Sequence, residues 1–134
     1  MDNGDTIQGT ALSDYQAMVS PVTYGQTLAI YKVMNAAKYD GGGIGNHEFN
    51  YGLPYLSQVT GNTFNVTGMP DPSAQTKCAG PAFPQVLANV MSAKTNAPLF
   101  QPYTIITKTV TATAPDGSTV SAPVKVGIIS FTPP

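Results

Sequence analysis

The clearest periodic pattern of apolar positions lies between residues 26 and 39. Leu28, Tyr31 and Met34 recur there at helical spacing, and neither Pro nor Gly interrupts the segment. We therefore predict a helix over residues 26–39. Because its apolar residues spread beyond one narrow stripe, we expect this helix to pack on a sheet.

The second half of the chain reads as strands. Residues 85–90 form a short apolar run typical of a buried strand. Residues 103–113 show the alternating pattern of a strand and contain many β-branched side chains. The Pro-Asp-Gly-Ser sequence at 115–118 is a turn signal, so residues 124–131 should complete a hairpin and supply a core strand.

Three weaker elements surround these segments. Residues 41–44 lead into a polar motif, and their three consecutive glycines weaken the strand propensity of this segment. Residues 53–59 favour a short helix. Residues 61–83 are rich in Gly, Pro, Ser, Thr and Asn, so they predict a long loop and the most mobile internal segment. Helices and strands in this order indicate an α/β sandwich.

Composition narrows the classes of protein. The chain has 134 residues, of which 42% are hydrophobic, enough for one packed domain or part of one. A net charge of −1 gives no basic surface for a polynucleotide. The single cysteine, Cys78, excludes an internal disulfide and is expected to be inert. The sequence has no apolar run long enough to span a membrane and no signal peptide at Met1.

Two Gly-flanked polar motifs carry the candidate chemistry. Residues 45–52 read Gly-Asn-His-Glu-Phe-Asn-Tyr-Gly, and residues 2–9 read Asp-Asn-Gly-Asp-Thr-Ile-Gln-Gly. A single Asp in a turn, or a single His, is usually structural. Together and in this order the motifs resemble those of the calcineurin-like metallophosphoesterases. The sequences of the two motifs are most similar to those of one branch, the periplasmic 2',3'-cyclic-nucleotide 2'-phosphodiesterases/3'-nucleotidases. The resemblance covers most of residues 2–134 and is weakest near residues 61–83.

The resemblance implies a role for each motif residue. Asp5 corresponds to the carboxylate that bridges two metals, and Asn46 to an amide ligand of one of them. His47 corresponds to the histidine that contacts the phosphoryl group, and Asn50 to the residue that orients its ring. Glu48 is expected to make a structural hydrogen bond or cap, and Asp2 to support its turn.

The resemblance also implies two divalent metal ions, of Mn, Zn, Co or Fe, in the intact enzyme. The family's further histidine ligands have no counterpart here, because the chain contains one histidine. We therefore expect residues 1–134 to be a partial four-layer αββα domain, truncated at both ends. Such a piece should be inactive alone and should self-associate through faces meant for the rest of the domain.

The leading functional hypothesis is a segment of a two-metal phosphoesterase that hydrolyses 2',3'-cyclic nucleotides and 3'-nucleotides in the periplasm. Its expected partner is a small nucleotide, with neither a polynucleotide nor a membrane involved. Two alternatives stay open. One is a 5'-nucleotidase or nucleotide-sugar hydrolase, which Asn50 disfavours because the 5'-nucleotidases have Asp at that position. The other is a non-catalytic binding module.

Overall fold

The computed structural model describes residues 1–133 and contains both helices and strands. In chain order the elements are α1 (Ala11–Asp14, continued by a π-helical turn, Tyr15–Val19), α2 (Ala29–Ala36), β1 (Gly42–Gly43), α3 (Leu53–Thr60), β2 (Gln85–Val86), β3 (Tyr103–Thr113) and β4 (Thr119–Ile129). Short 3-10 turns lie at His47–Phe49 and Pro72–Ala74. Of the helices, the sequence analysis predicted α2 and α3 but not α1.

Helix α2 is confirmed but is shorter than the predicted residues 26–39. Leu28 is its N-cap, and its buried face presents Tyr31 and Met34. The helix ends early because Lys38 adopts a left-handed φ of 56°. The Lys38 N–H then donates to the Asn35 carbonyl at 3.0 Å, and the next N–H donates to the Met34 carbonyl at 3.1 Å. These two bonds form a Schellman motif that satisfies the last carbonyls.

Although its glycines weaken strand propensity, Gly42–Gly43 forms β1, which pairs in parallel with β2. Its glycines have a packing reason: a Cβ at Gly43 would lie 2.5 Å from Ser130 Oγ. The prediction of a strand over 85–90 is wrong beyond Val86. The Leu87 N–H donates to the Gln101 carbonyl and the Ala88 N–H to the Ser130 carbonyl, so the chain changes partner at each residue and regular pairing stops.

Strands β3 and β4 form the predicted antiparallel hairpin, with Tyr103 opposite Ile129 and Thr113 opposite Thr119. The expectation that residues 124–131 supply a core strand is wrong for most of that segment. In β4 only Ile128 is buried, because β3 and β4 form a two-stranded sheet of their own and most of their side chains face solvent. Lys108 of β3 forms a salt bridge with Asp40, in the loop before β1.

The hydrophobic core lies between α2, α3 and β1. Its buried members are Ile7, Val22, Leu28, Tyr31, Met34, Ile44, Leu56, Val59, Phe64, Val66, Cys78, Phe83, Leu87 and Phe100. Residues 61–83 are irregular as predicted, apart from the turn at Pro72–Ala74, yet they contribute four of these side chains. No helix within residues 1–133 is long and apolar enough to cross a membrane.

Candidate functional site: two loops beyond strand β1

The two polar motifs leave the same edge of the sheet. Asp2 forms a parallel bridge with Gly42 of β1. Its N–H donates to the Gly41 carbonyl at 3.1 Å, and its carbonyl accepts from the Gly43 N–H at 3.2 Å. Because the two segments run in parallel, the residues that follow them emerge side by side, as ligand-binding loops do at the carboxyl ends of parallel strands.

The first loop holds Asp5 in an uncommon conformation. Asp5 has a φ of 60°, in the left-handed region that residues other than Gly rarely adopt. The Asp2 carboxylate accepts a hydrogen bond of 2.7 Å from the Thr6 hydroxyl, which closes the turn and confirms the supporting role expected of Asp2. Such a backbone conformation persists only where its surroundings impose it, and it is common at functional sites.

Glu48 imposes that conformation on the first loop. Its side chain is 1% exposed. Its carboxylate accepts hydrogen bonds from the backbone N–H groups of Asp5 at 2.7 Å, Gly45 at 2.7 Å and Ile7 at 3.3 Å, and from that of Thr6. The structural role expected of Glu48 is thus confirmed. One buried carboxylate fixes the two loops against each other.

The Asp5 carboxylate lies directly over the second loop. Its Oδ1 accepts a hydrogen bond of 3.0 Å from the His47 N–H. A Cβ at Gly45 would clash with the same oxygen, so the approach requires glycine at position 45. The other carboxylate oxygen accepts no hydrogen bond from residues 1–133, and Asp5 is exposed. That oxygen is available to a ligand.

The His47 ring is held by Asn50 and, through it, by Gln8. Asn50 Nδ2 lies 2.8 Å from His47 Nδ1 and also donates to Gln8 Oε1. His47 and Asn50 are exposed, and the 3-10 turn at His47–Phe49 brings them to one side. The predicted contact between Asn50 and the imidazole is therefore present.

Asn46 faces a cleft on the same surface. It is exposed and, together with Phe49, Val90, Thr132 and Pro133, lines a cleft of about 310 Å³. The hydrogen bonds found among residues 1–133 include none from its side-chain amide, so this oxygen is also available. Carboxylate and amide oxygens are ligands that hard divalent cations accept.

These donors fit only part of a metal site. Within residues 1–133 no group of three or more His, Cys, Asp or Glu side chains could hold a metal ion. Asp5 and Asn46 provide two oxygen donors, whereas a bound divalent cation usually needs at least four ligands. The described part of the chain therefore does not form a complete metal centre.

Sequence reasoning missed two parts of the site. Gln8 lies within the first motif, but its position alone gives no sign of the contact with Asn50. Helix α1 was not predicted, and it reaches the site because the Tyr51 hydroxyl donates to Asp14. Burial, and then this hydrogen bond, raise the pKa of Tyr51.

Comparison with known proteins shows what this chain is similar to in sequence and in fold. No protein-family model matches the chain. The crystal structure of the calcineurin-like phosphoesterase YfkN from Bacillus subtilis matches 99% of this chain with a TM-score of 0.66 and 36% sequence identity, and the match covers 34% of that chain. By fold and by sequence, the chain is similar to about one third of this calcineurin-like phosphoesterase. The α/β class predicted from the sequence is thus confirmed.

Two curated relatives match the full length of this chain in sequence. The 2',3'-cyclic-nucleotide 2'-phosphodiesterase/3'-nucleotidase of Yersinia enterocolitica is 40% identical over 134 residues. The protein of the same name from Salmonella typhimurium is 39% identical over the same length. Each match covers 100% of this chain and 17% of the relative, so the chain spans about one sixth of their length.

Proposed function

We propose that this chain is the part of a metal-dependent phosphoesterase that presents Asp5, Asn46 and His47 to a 2',3'-cyclic nucleotide or a 3'-nucleotide. One observation carries the proposal: two loops 40 residues apart in sequence are locked together by Glu48, with the polar side chains of all three residues exposed on one surface. Asp5 is also held at a positive φ, a conformation that occurs frequently at functional sites.

Each residue has a distinct task in this proposal. Asp5 and Asn46 offer oxygen ligands, and the further ligands come from outside residues 1–133. When bound, divalent cations would supply an activated water and would neutralise charge on the phosphoryl oxygens. His47 donates a hydrogen bond to the phosphoryl group or to the departing oxygen, and Asn50 holds its ring.

The names of the relatives support the choice of substrate, and so does Asn50. At residue 50 this chain has the neutral amide that resembles the cyclic-nucleotide branch. A periplasmic location and a small-nucleotide partner belong to the same proposal and rest on the family resemblance. The two metal ions also come from the resemblance, with their identity among Mn, Zn, Co and Fe left open.

A chimera tests the proposed function. Residues 1–134 would replace the matching 40% identical segment of the Yersinia enterocolitica relative. We expect hydrolysis of 2',3'-cyclic AMP and of 3'-AMP with Mn²⁺ present. His47→Ala should lower kcat on the order of 10²–10⁴-fold, the usual contribution of a general acid or base. Asn46→Ala should weaken metal binding, whereas Asn65→Ala, at another exposed asparagine, should change neither property.

The outcomes separate the alternatives. A folded chimera that prefers 5'-AMP would favour the 5'-nucleotidase hypothesis, and one that binds nucleotide without turnover would favour the non-catalytic module. The chain by itself, assayed with Mn²⁺ on an aryl phosphodiester, should be inactive because its donor set is incomplete. Turnover that Asp5→Ala abolishes would contradict that expectation.

A further inference from the structure

We propose that Gln8 and Asn50 together fix the neutral His47 imidazole in the tautomer that carries its proton on Nε2, which makes Gln8 a positioning residue of the site. The functional meaning of this inference rests on the proposed function. The geometry on which it depends does not, because it involves only side chains of the described chain.

The tautomer follows from the chemistry of the Asn50 amide. Its Nδ2 has two hydrogens and no lone pair available to accept, and it lies 2.8 Å from His47 Nδ1. His47 Nδ1 must then be the acceptor in this contact. In a neutral imidazole one nitrogen accepts and the other donates, so the proton lies on Nε2.

Gln8 determines which end of the Asn50 amide faces the ring. Rotated by half a turn, that amide would present its oxygen to His47 Nδ1 and would select the opposite tautomer. In the observed arrangement Gln8 Oε1 accepts the second hydrogen of Asn50 Nδ2. Rotation would place two amide oxygens against each other, which is repulsive. Gln8 belongs to the loop that carries Asp5, so one loop sets the ring orientation in the other.

The consequence concerns the outer nitrogen of the ring. His47 Nε2 makes no hydrogen bond with any residue from 1 to 133, and His47 is exposed. With the proton fixed there, the neutral ring already presents an N–H donor to a phosphoryl or leaving-group oxygen. No nearby carboxylate is needed for this, which accounts for an amide rather than a carboxylate at residue 50.

The single histidine of the chain makes the tautomer directly measurable. A two-bond ¹H–¹⁵N correlation spectrum of the ¹⁵N-labelled chain shows one imidazole only. It would be recorded without metal or substrate, at the alkaline end of a pH series where the imidazole signals no longer change. We expect the Nε2–H form to exceed the Nδ1–H form on the order of tenfold, as one hydrogen bond can provide.

Three variants test the two amides separately. Asn50→Asp, which can only accept, should reverse the ratio to the Nδ1–H form. Gln8→Leu should reduce the preference severalfold, because the Asn50 amide becomes free to rotate. Gln8→Glu keeps an acceptor oxygen and should retain the parent tautomer. The backbone amide spectrum of each variant, compared with that of the parent, checks that the fold is kept.

Several results would overturn the proposal. One is a parent spectrum with the Nδ1–H form equal or dominant, and another is an unchanged ratio in Gln8→Leu. Reversal in Gln8→Glu would mean that Gln8 donates its amide hydrogens, with both amides oriented the other way. These results are distinct from failure of the proposed function, which would appear as an inactive chimera with the same tautomer.

Discussion

At the scale of single residues, the site depends most on the buried carboxylate of Glu48. Burying a carboxylate is costly unless hydrogen bonds replace its water. Glu48 receives four backbone N–H groups from two loops, which satisfies this requirement. The same bonds hold Asp5 in its left-handed conformation, so the stability of the protein and the geometry of the site share one side chain.

Glu48→Gln should therefore be strongly destabilising despite its similar shape. The glutamine amide would bring hydrogens toward N–H donors and leave at least two of them without an acceptor. We expect a loss of about 3 kcal/mol or more in the free energy of unfolding, measured by urea denaturation. Asp71→Asn, at an exposed carboxylate without a side-chain hydrogen bond in the described chain, is the matched control. A Glu48→Gln variant as stable as that control would refute this role.

Removing either of two buried tyrosine hydroxyls should have different effects on the free energy of unfolding. The Tyr31 hydroxyl accepts a hydrogen bond of 3.0 Å from Gln85, whereas the buried Tyr55 hydroxyl has no partner within residues 1–133. Tyr31→Phe leaves the Gln85 amide without its acceptor and should lower the free energy of unfolding by about 1–3 kcal/mol. Tyr55→Phe removes an unsatisfied group and should leave stability equal or raise it by up to about 1 kcal/mol. Equal losses in both variants would contradict this prediction.

The same tyrosines make stability depend on alkaline pH. Burial, and then the neighbouring Tyr51, raise the pKa of Tyr55 to about 12 from 10.0. The folded state thus holds this proton more tightly, so stability is full below pH 10 and falls as the pH rises toward 12. Burial raises the pKa of Tyr31 as well and acts in the same direction. Urea denaturation at several pH values should show a smaller decline in Tyr55→Phe.

The residues of the site could be predicted from sequence only where a motif marked them. Asp5, Asn46, His47 and Asn50 belong to two motifs, and the structure brings these motifs together. Gln8 also lies in the first motif, but its role depends on which atom of the Asn50 amide it contacts, and the spacing of residues in the sequence does not contain that information. The metal roles of Asp5 and Asn46 stay predictions, since they follow from resemblance.

At the scale of elements, helix α2 shows which features the apolar pattern of a sequence predicts and which it does not. The apolar spacing of Leu28, Tyr31 and Met34 predicted the buried face correctly. The end of the helix depends instead on Lys38, whose left-handed φ has no sequence signal because lysine is a good helix former. The strand predicted at 85–90 ended early for a similar reason, since its partners after Val86 come from distant segments.

The Schellman motif predicts a stabilising glycine at an unusual place. Lys38→Gly removes the steric cost of a Cβ at φ 56° and should raise the free energy of unfolding by about 1 kcal/mol. Lys32→Gly, at an exposed position inside α2, should instead lower it by about 1 kcal/mol. Thermal or urea denaturation of both variants provides the measurement. A loss of stability in Lys38→Gly would show that the lysine side chain contributes more than its backbone strain costs.

At the scale of the whole molecule, the hairpin presents an apolar surface to solvent. Tyr103, Ile105 and Ile129 lie on one face of β3 and β4, and each is 58–60% exposed. Tyr103 and Ile129 are directly opposite in the register, and Ile105 is two residues farther along. Contiguous apolar patches of this kind commonly mark surfaces that pack against other protein.

We therefore expect the isolated chain to self-associate through this face. Light scattering over a concentration series should show oligomers, and the double substitution Ile105→Thr with Ile129→Thr should shift them toward monomer. Threonine keeps the β-branched shape that strands favour, so the hairpin itself should persist. Val33→Thr, at a 63% exposed valine on α2, is the control. A parent chain that stays monomeric at high concentration would contradict the prediction.

Cys78 lies in the loop at residues 61–83, so the rate at which its thiol is alkylated reports on the opening of that loop. The chain has one cysteine, it is 4% exposed, and its thiol donates to the Thr23 carbonyl at 3.6 Å. Burial raises the pKa of that thiol, so alkylation in native buffer requires residues 61–83 to detach first. Gln75 attaches the loop to α3, because its side-chain oxygen accepts a hydrogen bond of 3.0 Å from the Ser57 hydroxyl, and it also bonds to Phe64 and Pro70 within the loop. Gln75→Ala should therefore accelerate labelling severalfold. If the loop opens on its own, labelling will depend only weakly on urea; a dependence as steep as that of global unfolding would instead make the loop part of the cooperative fold.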